Sequence, residues 1–450
     1  MKIKTDSRKV VEGDTFIALR GITDDGHNYV EDAIQRGASL VVVEKGEYNV
    51  PTLIVNDTHE YLINLLKEIY YDEIKSMKLI GMTGTNGKTT SCFILASSLN
   101  KLGIKCGYIG TIGFYINEKI CDLKNTTPDI LEMYEMLLKC HNEGCKYVVM
   151  EVSSQALSMH RVDDILFDYA VFTNLTKDHL DYHLDMKNYC LAKQKLFTQI
   201  KEDGYAIINI DDDYKNYFLL PNNNNITYGF DESNYQIDNY SYDNQITSFS
   251  LINNQKEEKY KTNLIGKYNV YNLTIMIIIL KSIGIDYEDI KGEVLEAKAP
   301  NGRMETIFYK SNKIIIDYAH TPDAVNKVIN AAKELNPKNI ITIIGCGGNR
   351  DKTKRPEMGK CASDNSNYVI FTSDNPRNEN PSDIIEDMIQ SLDKKNYEIE
   401  INRKEAIKKG IQRLGENDIL LVLGKGHENY QIINNEKIYF SDKDTVLDIL

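Results

Sequence analysis

The stretch Thr83-Gly-Thr-Asn-Gly-Lys-Thr-Thr90 carries the strongest chemical signal in the chain. It falls between an apolar strand-like run, Lys78-Leu-Ile-Gly81, and a helix-like run from about Thr89 to Leu102 that ends at Gly103. Glycines let a backbone curl around phosphate with its N–H groups pointing inward. The helix N-terminus that follows adds positive potential. In such a loop Lys88 reaches the β and γ phosphates of a nucleotide and Thr89 holds Mg²⁺. The strict pattern has glycine where this chain has Met82, so the loop is a variant form. The plainer reading, a Gly-rich turn with no ligand, is disfavoured by Gly-Lys-Thr in this setting.

Other candidates are weaker taken alone. Glu151 follows Tyr147-Val-Val-Met150, at the carboxyl edge of a parallel sheet, where ligands bind. A carboxylate there suits the hard cation Mg²⁺, although a lone strand-end Glu is ordinarily a surface group. His179 and His183 have a spacing that permits a two-His zinc pair on a helix, but no third ligand is evident. Lys193 reads as a solvated helix lysine. Arg377 closes Asp374-Asn-Pro-Arg377, after the strand-like Tyr368–Ser373. It can grip a carboxylate with both arms, or pair with Glu379.

The elements that must position these groups fall into three units. Up to about residue 75, short strands (Thr15–Leu19, Leu40–Glu44, Thr52–Val55) alternate with helices (Tyr29–Arg36 and 59–71), and Tyr71–Met77 reads as a polar linker. The second unit has strands at Lys78–Gly81, Tyr147–Met150, Tyr169–Phe172 and Tyr205–Asn209. Its stretch 221–262, rich in Asn, Tyr and Ser, reads as edge hairpins before a helix near Asn269–Ile283. From Pro300 a third unit alternates strands (Lys313–Asp317, Ile340–Gly345, Tyr368–Ser373, Glu398–Asn402, Ile419–Leu423) with helices at 322–335, 381–391 and 403–414. That alternation predicts a parallel, doubly wound sheet.

Size and charge agree with this plan. The 450 residues are about three times a typical 150-residue domain. The net charge of −13 argues against a nucleic-acid protein carried by bulk charge. The 8 cysteines form no C-x-x-C pair, so reduced thiols in a cytoplasm are expected. The polar start after Met1 does not read as a signal peptide, and no apolar run is long enough to span a membrane.

From the phosphate loop to the C-terminus the chain resembles the Mur ligases, ATP-dependent amino-acid ligases of peptidoglycan synthesis. The resemblance rests on the loop itself and on Asn125-Thr-Thr-Pro128, Met150-Glu-Val-Ser-Ser154, Thr173–His183 (TNLTKDHLDYH) and Gly266–Asn272 (GKYNVYN). It continues through Gly302-Arg-Met-Glu305, Asp317–Pro322 (DYAHTP), Gly345–Asp351 (GCGGNRD), Asp374–Arg377 and Gly424-Lys-Gly-His-Glu428. Asp6-Ser-Arg8 and Asp25-Gly-His27 fit as well.

This resemblance implies roles residue by residue. Lys88, Glu151, His179 and Lys193 are the catalytic set, with Thr89, Glu151, His179 and Lys193 as Mg²⁺ ligands. Lys193 serves as a carbamate (N6-carboxylysine), because CO₂ turns its ammonium into an anion; His183 is structural. Gly84, Thr85, Asn86, Gly87, Lys88, Thr89, Thr90, Asn269, Arg303, Asp317 and His320 are implied for ATP. Ser7, Thr126, Thr127, Ser153, Met159 and Arg161 are implied for a UDP-sugar. Arg350, Asp374, Asn375, Arg377, Gly424 and Glu428 are implied for the amino acid. The Asn-Pro-Arg form accompanies meso-diaminopimelate. Four residues depart from the family pattern: Met159 for Gln, Asn349 for Asp, Lys443 for Arg and Tyr268 for Phe.

The expected fold is α/β in three domains: a small N-terminal α/β UDP-sugar domain (1–76), a central P-loop ATPase with a mostly parallel sheet (77–300) and a C-terminal Rossmann-like amino-acid domain (301–450). The implied activity adds meso-diaminopimelate to UDP-N-acetylmuramoyl-L-alanyl-D-glutamate through an acyl phosphate, releasing ADP and phosphate, with Mg²⁺ and ATP. A lysine-adding ligase, a P-loop phosphotransferase and a non-catalytic nucleotide-binding module are the alternatives. The expected partners are these small molecules, with no nucleic acid and no membrane, for a cytoplasmic monomer.

Overall fold

The computed structural model describes residues 2–21, 24–221, 224–243 and 245–450. Met1, Ile22 and Thr23, and positions 222, 223 and 244 of the stretch read as hairpins, lie outside the described residues.

Three sheets carry the α/β fold. Four parallel strands, Ile3–Lys4, Thr15–Ile17, Leu40–Val43 and Thr52–Ile54, make the first. Lys78–Thr83 lies inside the second, an 11-stranded sheet, between the parallel strands Tyr147–Glu151 and Phe167–Phe172. One edge of it is the antiparallel set Tyr235–Asp243, Ile246–Asn253 and Lys256–Thr262, as the alternation in 221–262 predicted. The other edge, Cys106–Gly110, Gly113–Ile116 and Glu118–Cys121, was not foreseen. The third sheet has five parallel strands and one antiparallel edge strand, Glu305–Tyr309.

Alternation along the strands sends neighbouring side chains to opposite faces. Val148 and Met150 join one core of the central sheet and Val149 the other. Ile314 and Ile316 face one layer of the third sheet, and Ile315 the opposite layer. Both sheets are therefore covered on two sides, which explains why their strands read as continuous Val/Ile/Leu runs.

One expectation is corrected. Tyr71–Lys75 is not linker but the last turns of the helix Thr58–Lys75. Asp57 caps its start by accepting from the backbone N–H of His59 and Glu60 at 2.7 and 2.9 Å. Leu62, Ile63 and Leu66 bury one face, and Tyr70 packs on Tyr134 of the helix Ile130–Asn142. The polar end misled because its apolar contacts belong to another unit.

Candidate active site

A cleft of about 1320 Å³ lies where the carboxyl ends of the central and third sheets meet. Its walls carry Thr85–Thr90, Glu151 and Asn174 from one side, and Asp317, Gly345, Asp374 and Gly424 from the other.

The phosphate loop is clamped by the neighbouring strand. The backbone N–H groups of Thr85 and Asn86 donate to the Asn174 carbonyl and Oδ1 at 2.8 and 2.9 Å, and Thr173 Oγ1 donates to the Asn86 carbonyl at 2.7 Å. At Gly84, φ is 148°, and a Cβ would sit 1.9 Å from Thr173 Oγ1, so only glycine fits. Lys88 Nζ folds back onto the Gly84 and Thr85 carbonyls at 2.7 and 2.9 Å. Burial pulls its pKa below the ordinary lysine value.

Glu151 is fully buried. Its Oε1 accepts from Tyr108 OH at 2.6 Å and Thr111 N–H at 2.8 Å; its Oε2 accepts from Thr89 Oγ1 at 2.8 Å and Thr111 Oγ1 at 3.0 Å. Arg303 reaches from the third unit to donate to Thr89 Oγ1 at 3.3 Å, with its guanidinium 4.5 Å above the Tyr318 ring. Its Nε is buried with no partner among the described residues.

His179 stands at φ 56°, and Asp178 beside it joins the two halves of the cleft. The Asp178 carboxylate lies 3.4 Å from His179 Nε2, 3.7 Å from His320 Nε2 and 3.4 Å from Lys354 Nζ. Burial opposes its charge, but His320, Lys354 and His179 outweigh that and hold it well below the usual carboxylate range. Burial pushes His179 down to about 3, so its imidazole is neutral and has a lone pair for a cation. His183 turns away to hydrogen-bond Ser154 Oγ at 2.9 Å, so the two histidines form no zinc pair.

Lys193, 1 % exposed, is no solvated lysine. Its Nζ donates to the Gly84 carbonyl at 2.8 Å and lies 4.5 Å over the Tyr189 ring. Burial and then the Lys88 charge push it well below the ordinary lysine value.

Among the described residues no three His, Cys, Asp or Glu side chains form a ready cage for a metal. Mg²⁺ is held by one or two protein oxygens together with substrate phosphates and water. The Thr89–Glu151 oxygen pair supplies hard donors of the right kind, and neutral His179 adds a nitrogen lone pair.

Across the cleft, Asn375 Nδ2 donates to Glu428 Oε2 at 2.8 Å. Arg377, at φ 52°, has its N–H on the Ile432 carbonyl at 2.9 Å, and its carbonyl accepts from Asn434 N–H at 2.8 Å. Its Nη1 donates to the Gly348 carbonyl at 2.7 Å. Burial, and then Arg350, lower its pKa. Glu379 pairs instead with Arg355, at 2.9 and 3.0 Å. The hairpin Tyr430–Ile433/Glu436–Tyr439 that braces Arg377 was not foreseen.

The remaining candidates divide. Asn269, Arg303, Asp317, His320, Thr126, Ser153, Arg161, Arg350, Asp374 and Gly424 line the cleft. Thr127 lies behind it, donating to the Glu151 carbonyl at 2.9 Å. Met159 caps the helix Ser154–Ser158 off the cleft wall, where Gln155 sits instead. Ser7, in the short helix Ser7–Lys9 that Asp6 caps, is also off that wall. Tyr108, Asn174, Asp178, Lys354 and Lys425 are neighbours the sequence reading missed. Among the departures, Lys443 pairs with Glu305 at 2.5 Å, and Asn349 takes φ 52°, which Asn tolerates. The Tyr268 hydroxyl is buried without a partner among the described residues.

A phosphate loop with a strand-end carboxylate, facing a second doubly wound sheet across one cleft, defines an ATP-dependent ligase of three units. Family models match in register: the Mur ligase family catalytic domain at residues 2–73, the Mur ligase middle domain at 82–280 and the Mur ligase glutamate ligase domain at 302–426. The chain belongs to the Mur ligase family. It is similar to the UDP-N-acetylmuramoyl-L-alanyl-D-glutamate--2,6-diaminopimelate ligase of Fusobacterium nucleatum, 42 % identical over 98 % of this chain and 92 % of that one. The like-named enzyme 1 of Clostridium acetobutylicum is 40 % identical over 99 % and 93 %. A solved structure of a ligase of the same name superposes with a TM-score of 0.69 at 32 % identity, covering 100 % of this chain and 94 % of that one. Among the described residues no helix is long and apolar enough to cross a membrane.

Proposed function

We propose that this protein joins meso-diaminopimelate to the terminal carboxylate of UDP-N-acetylmuramoyl-L-alanyl-D-glutamate at the expense of ATP. The observation that carries the choice of amino acid is Arg377. It faces the cleft with no carboxylate among the described residues within ion-pair distance, while Glu428 stands nearby for an ammonium. The far end of diaminopimelate carries both charges, and the far end of lysine only the ammonium.

The substrate carboxylate attacks the γ-phosphorus of ATP, giving ADP and an acyl phosphate. Two anions meet in that step, so Lys88, the loop N–H groups and Arg303 supply opposing charge. Mg²⁺, held by Thr89, Glu151, His179 and carbamylated Lys193, would neutralise phosphate charge. The neutral amine of the amino acid then attacks the acyl carbon. The tetrahedral intermediate collapses to the amide, and phosphate leaves. Asp374, Asn375, Arg377, Gly424, Glu428 and Arg350 aim that amine. The cleft joins the two units, so domain closure sets the alignment.

The reading extends to the units themselves. Residues 1–76 take the uridine end through Ser7; Thr126, Thr127, Ser153 and Arg161 serve the diphosphate and sugar. Met159, implied for the same substrate, stands off the cleft wall as Thr127 and Ser7 do, and Gln155 lines that wall beside it. Residues 77–300 bind ATP and 301–450 the amino acid, in a cytoplasmic monomer.

Phosphate release with ATP, Mg²⁺ and the UDP-muramoyl dipeptide tests the reading. Release with meso-diaminopimelate only is expected. Release with L-lysine instead would make the protein the lysine-adding ligase, and release that ignores the amine would make it a phosphotransferase or ATPase.

A further inference from the structure

Behind the amino-acid end of the cleft lies a cation that the proposed reaction does not use. Lys425 has no exposure to solvent. Its Nζ donates to the Tyr430 carbonyl at 2.5 Å and to Glu428 Oε2 at 3.3 Å, and lies 3.5 Å from Asn375 Oδ1. Asn375 Nδ2 holds the same Glu428 oxygen at 2.8 Å, and Asn375 Oδ1 accepts from Ile432 N–H at 2.9 Å. One ammonium therefore ties together the Gly424–Glu428 turn, the Asp374–Arg377 turn and the hairpin that braces Arg377. It also fixes which oxygen of Glu428 is committed. Oε2 has two protein donors; Oε1 has only a 3.4 Å contact with Tyr430 OH, which leaves it for a ligand.

The charges extend the argument. The turns Gly345–Asp351, Asp374–Arg377 and Gly424–Glu428, with Lys437 of the hairpin, gather Arg350, Arg377, Lys425 and Lys437 against Asp351, Asp374 and Glu428. Burial pushes His427 down to about 3, so it adds no charge at neutral pH. Four cations against three carboxylates leave one positive charge in excess. A ligand end with a carboxylate and an ammonium is accepted there, because its carboxylate meets the excess. A ligand end with an ammonium alone is repelled. Discrimination by an uncompensated like charge is a known way of rejecting the wrong partner.

We infer that Lys425 is a positioning and specificity-determining residue: by orienting Glu428 and by holding the site one positive charge in excess, it makes the enzyme reject diamino acids whose far end lacks a carboxylate. This rests on the proposed function and deepens it.

The test compares kcat/KM for meso-diaminopimelate and L-lysine, at saturating ATP and UDP-muramoyl dipeptide, in wild type, Lys425→Met and Lys425→Arg. In Lys425→Met the preference for diaminopimelate falls about tenfold or more, through KM for the amino acids, while KM for ATP is unchanged. Lys425→Arg keeps most of the preference. A parallel loss for both amino acids, with the ratio unchanged, would overturn the inference, as would equal behaviour of the Met and Arg variants. If Lys425→Met does not fold, Glu428→Gln carries the test, because it enlarges the positive excess. L-lysine must then lose more than diaminopimelate, and an equal loss overturns the inference. Wild type that releases phosphate with neither amine, or prefers lysine, would instead refute the proposed function, so the two failures are distinguishable.

Discussion

Arg355 holds Glu379 at 2.9 and 3.0 Å, and so withholds from Arg377 the one carboxylate that lies two residues along the chain. Arg355 is itself 1 % exposed and also reaches Asp387 at 2.8 Å. The acid is thus tied to the helix Lys354–Asn365 that carries Arg355, and Arg377 is left facing the cleft.

Removal of Arg377 then acts on substrate more than on fold. Arg377→Ala is expected to lower kcat/KM for meso-diaminopimelate by about 10–100-fold, the worth of roughly 1.5–3 kcal/mol for a charged hydrogen bond. The same change costs L-lysine less. Steady-state kinetics with both amines and a melting curve check this; equal losses, or a large fall in Tm, would contradict it.

The Glu379 pair has a pH signature. Hydrogen bonds from Arg355, opposed by burial and aided by Asn349 N–H and Lys352, bring its pKa from 4.5 to about 2. A carboxylate with a depressed folded-state value contributes stability that is complete above its unfolded value and is lost as pH falls through the folded value. The Tm difference between wild type and Glu379→Gln is therefore expected to be constant near neutrality and to shrink from about pH 4.5 down to about 2. A difference that does not change over that window would refute it.

Lys193 makes a chemical prediction. An amine must be neutral to add CO₂, and burial beside Lys88 favours the neutral form. Gentle mass spectrometry at neutral pH is expected to find one CO₂ on this residue. Depleting CO₂ lowers wild-type activity reversibly. Lys193→Ala loses about 10²–10³-fold, the usual worth of one lost charge-stabilising group, and no longer responds to CO₂. Full activity in the Ala variant would exclude the role.

A buried ion pair supports the amino-acid turn. Arg403 and Asp442 meet at 2.7 Å with no exposure of either side chain, and Arg403 Nη2 donates to the Leu423 carbonyl at 2.9 Å, just before Gly424. Asp442→Asn leaves the guanidinium uncompensated and is expected to cost about 3–5 kcal/mol in chemical denaturation. A change under about 1 kcal/mol would contradict this.

The legible parts of the sequence were those with local causes. The phosphate loop announced itself because glycine, lysine and threonine need a fixed spacing around phosphate. The buried strands did so because sheets covered on both faces leave unbroken apolar runs. Lys193 looked like a surface residue, since nothing near it in sequence shows that the phosphate loop at Gly84 closes over it. Asp178 and Lys354 were missed for the same reason, since they meet across two units; Lys425 has Glu428 and Tyr430 close in sequence, and only its approach to Asn375 was out of sight. Met159 was placed by motif position alone, and the end of its short helix carries it off the wall that Gln155 lines.

The acyl-phosphate route is tested most directly by isotope transfer. The terminal carboxylate of the UDP-muramoyl dipeptide is labelled with heavy oxygen, and the phosphate released with ATP, Mg²⁺ and meso-diaminopimelate is weighed by mass spectrometry. The proposed attack of that carboxylate on the γ-phosphorus predicts one heavy oxygen in each phosphate and one retained in the new amide. Phosphate free of label would show that water, not the carboxylate, receives the phosphoryl group, and the proposed reaction would be wrong.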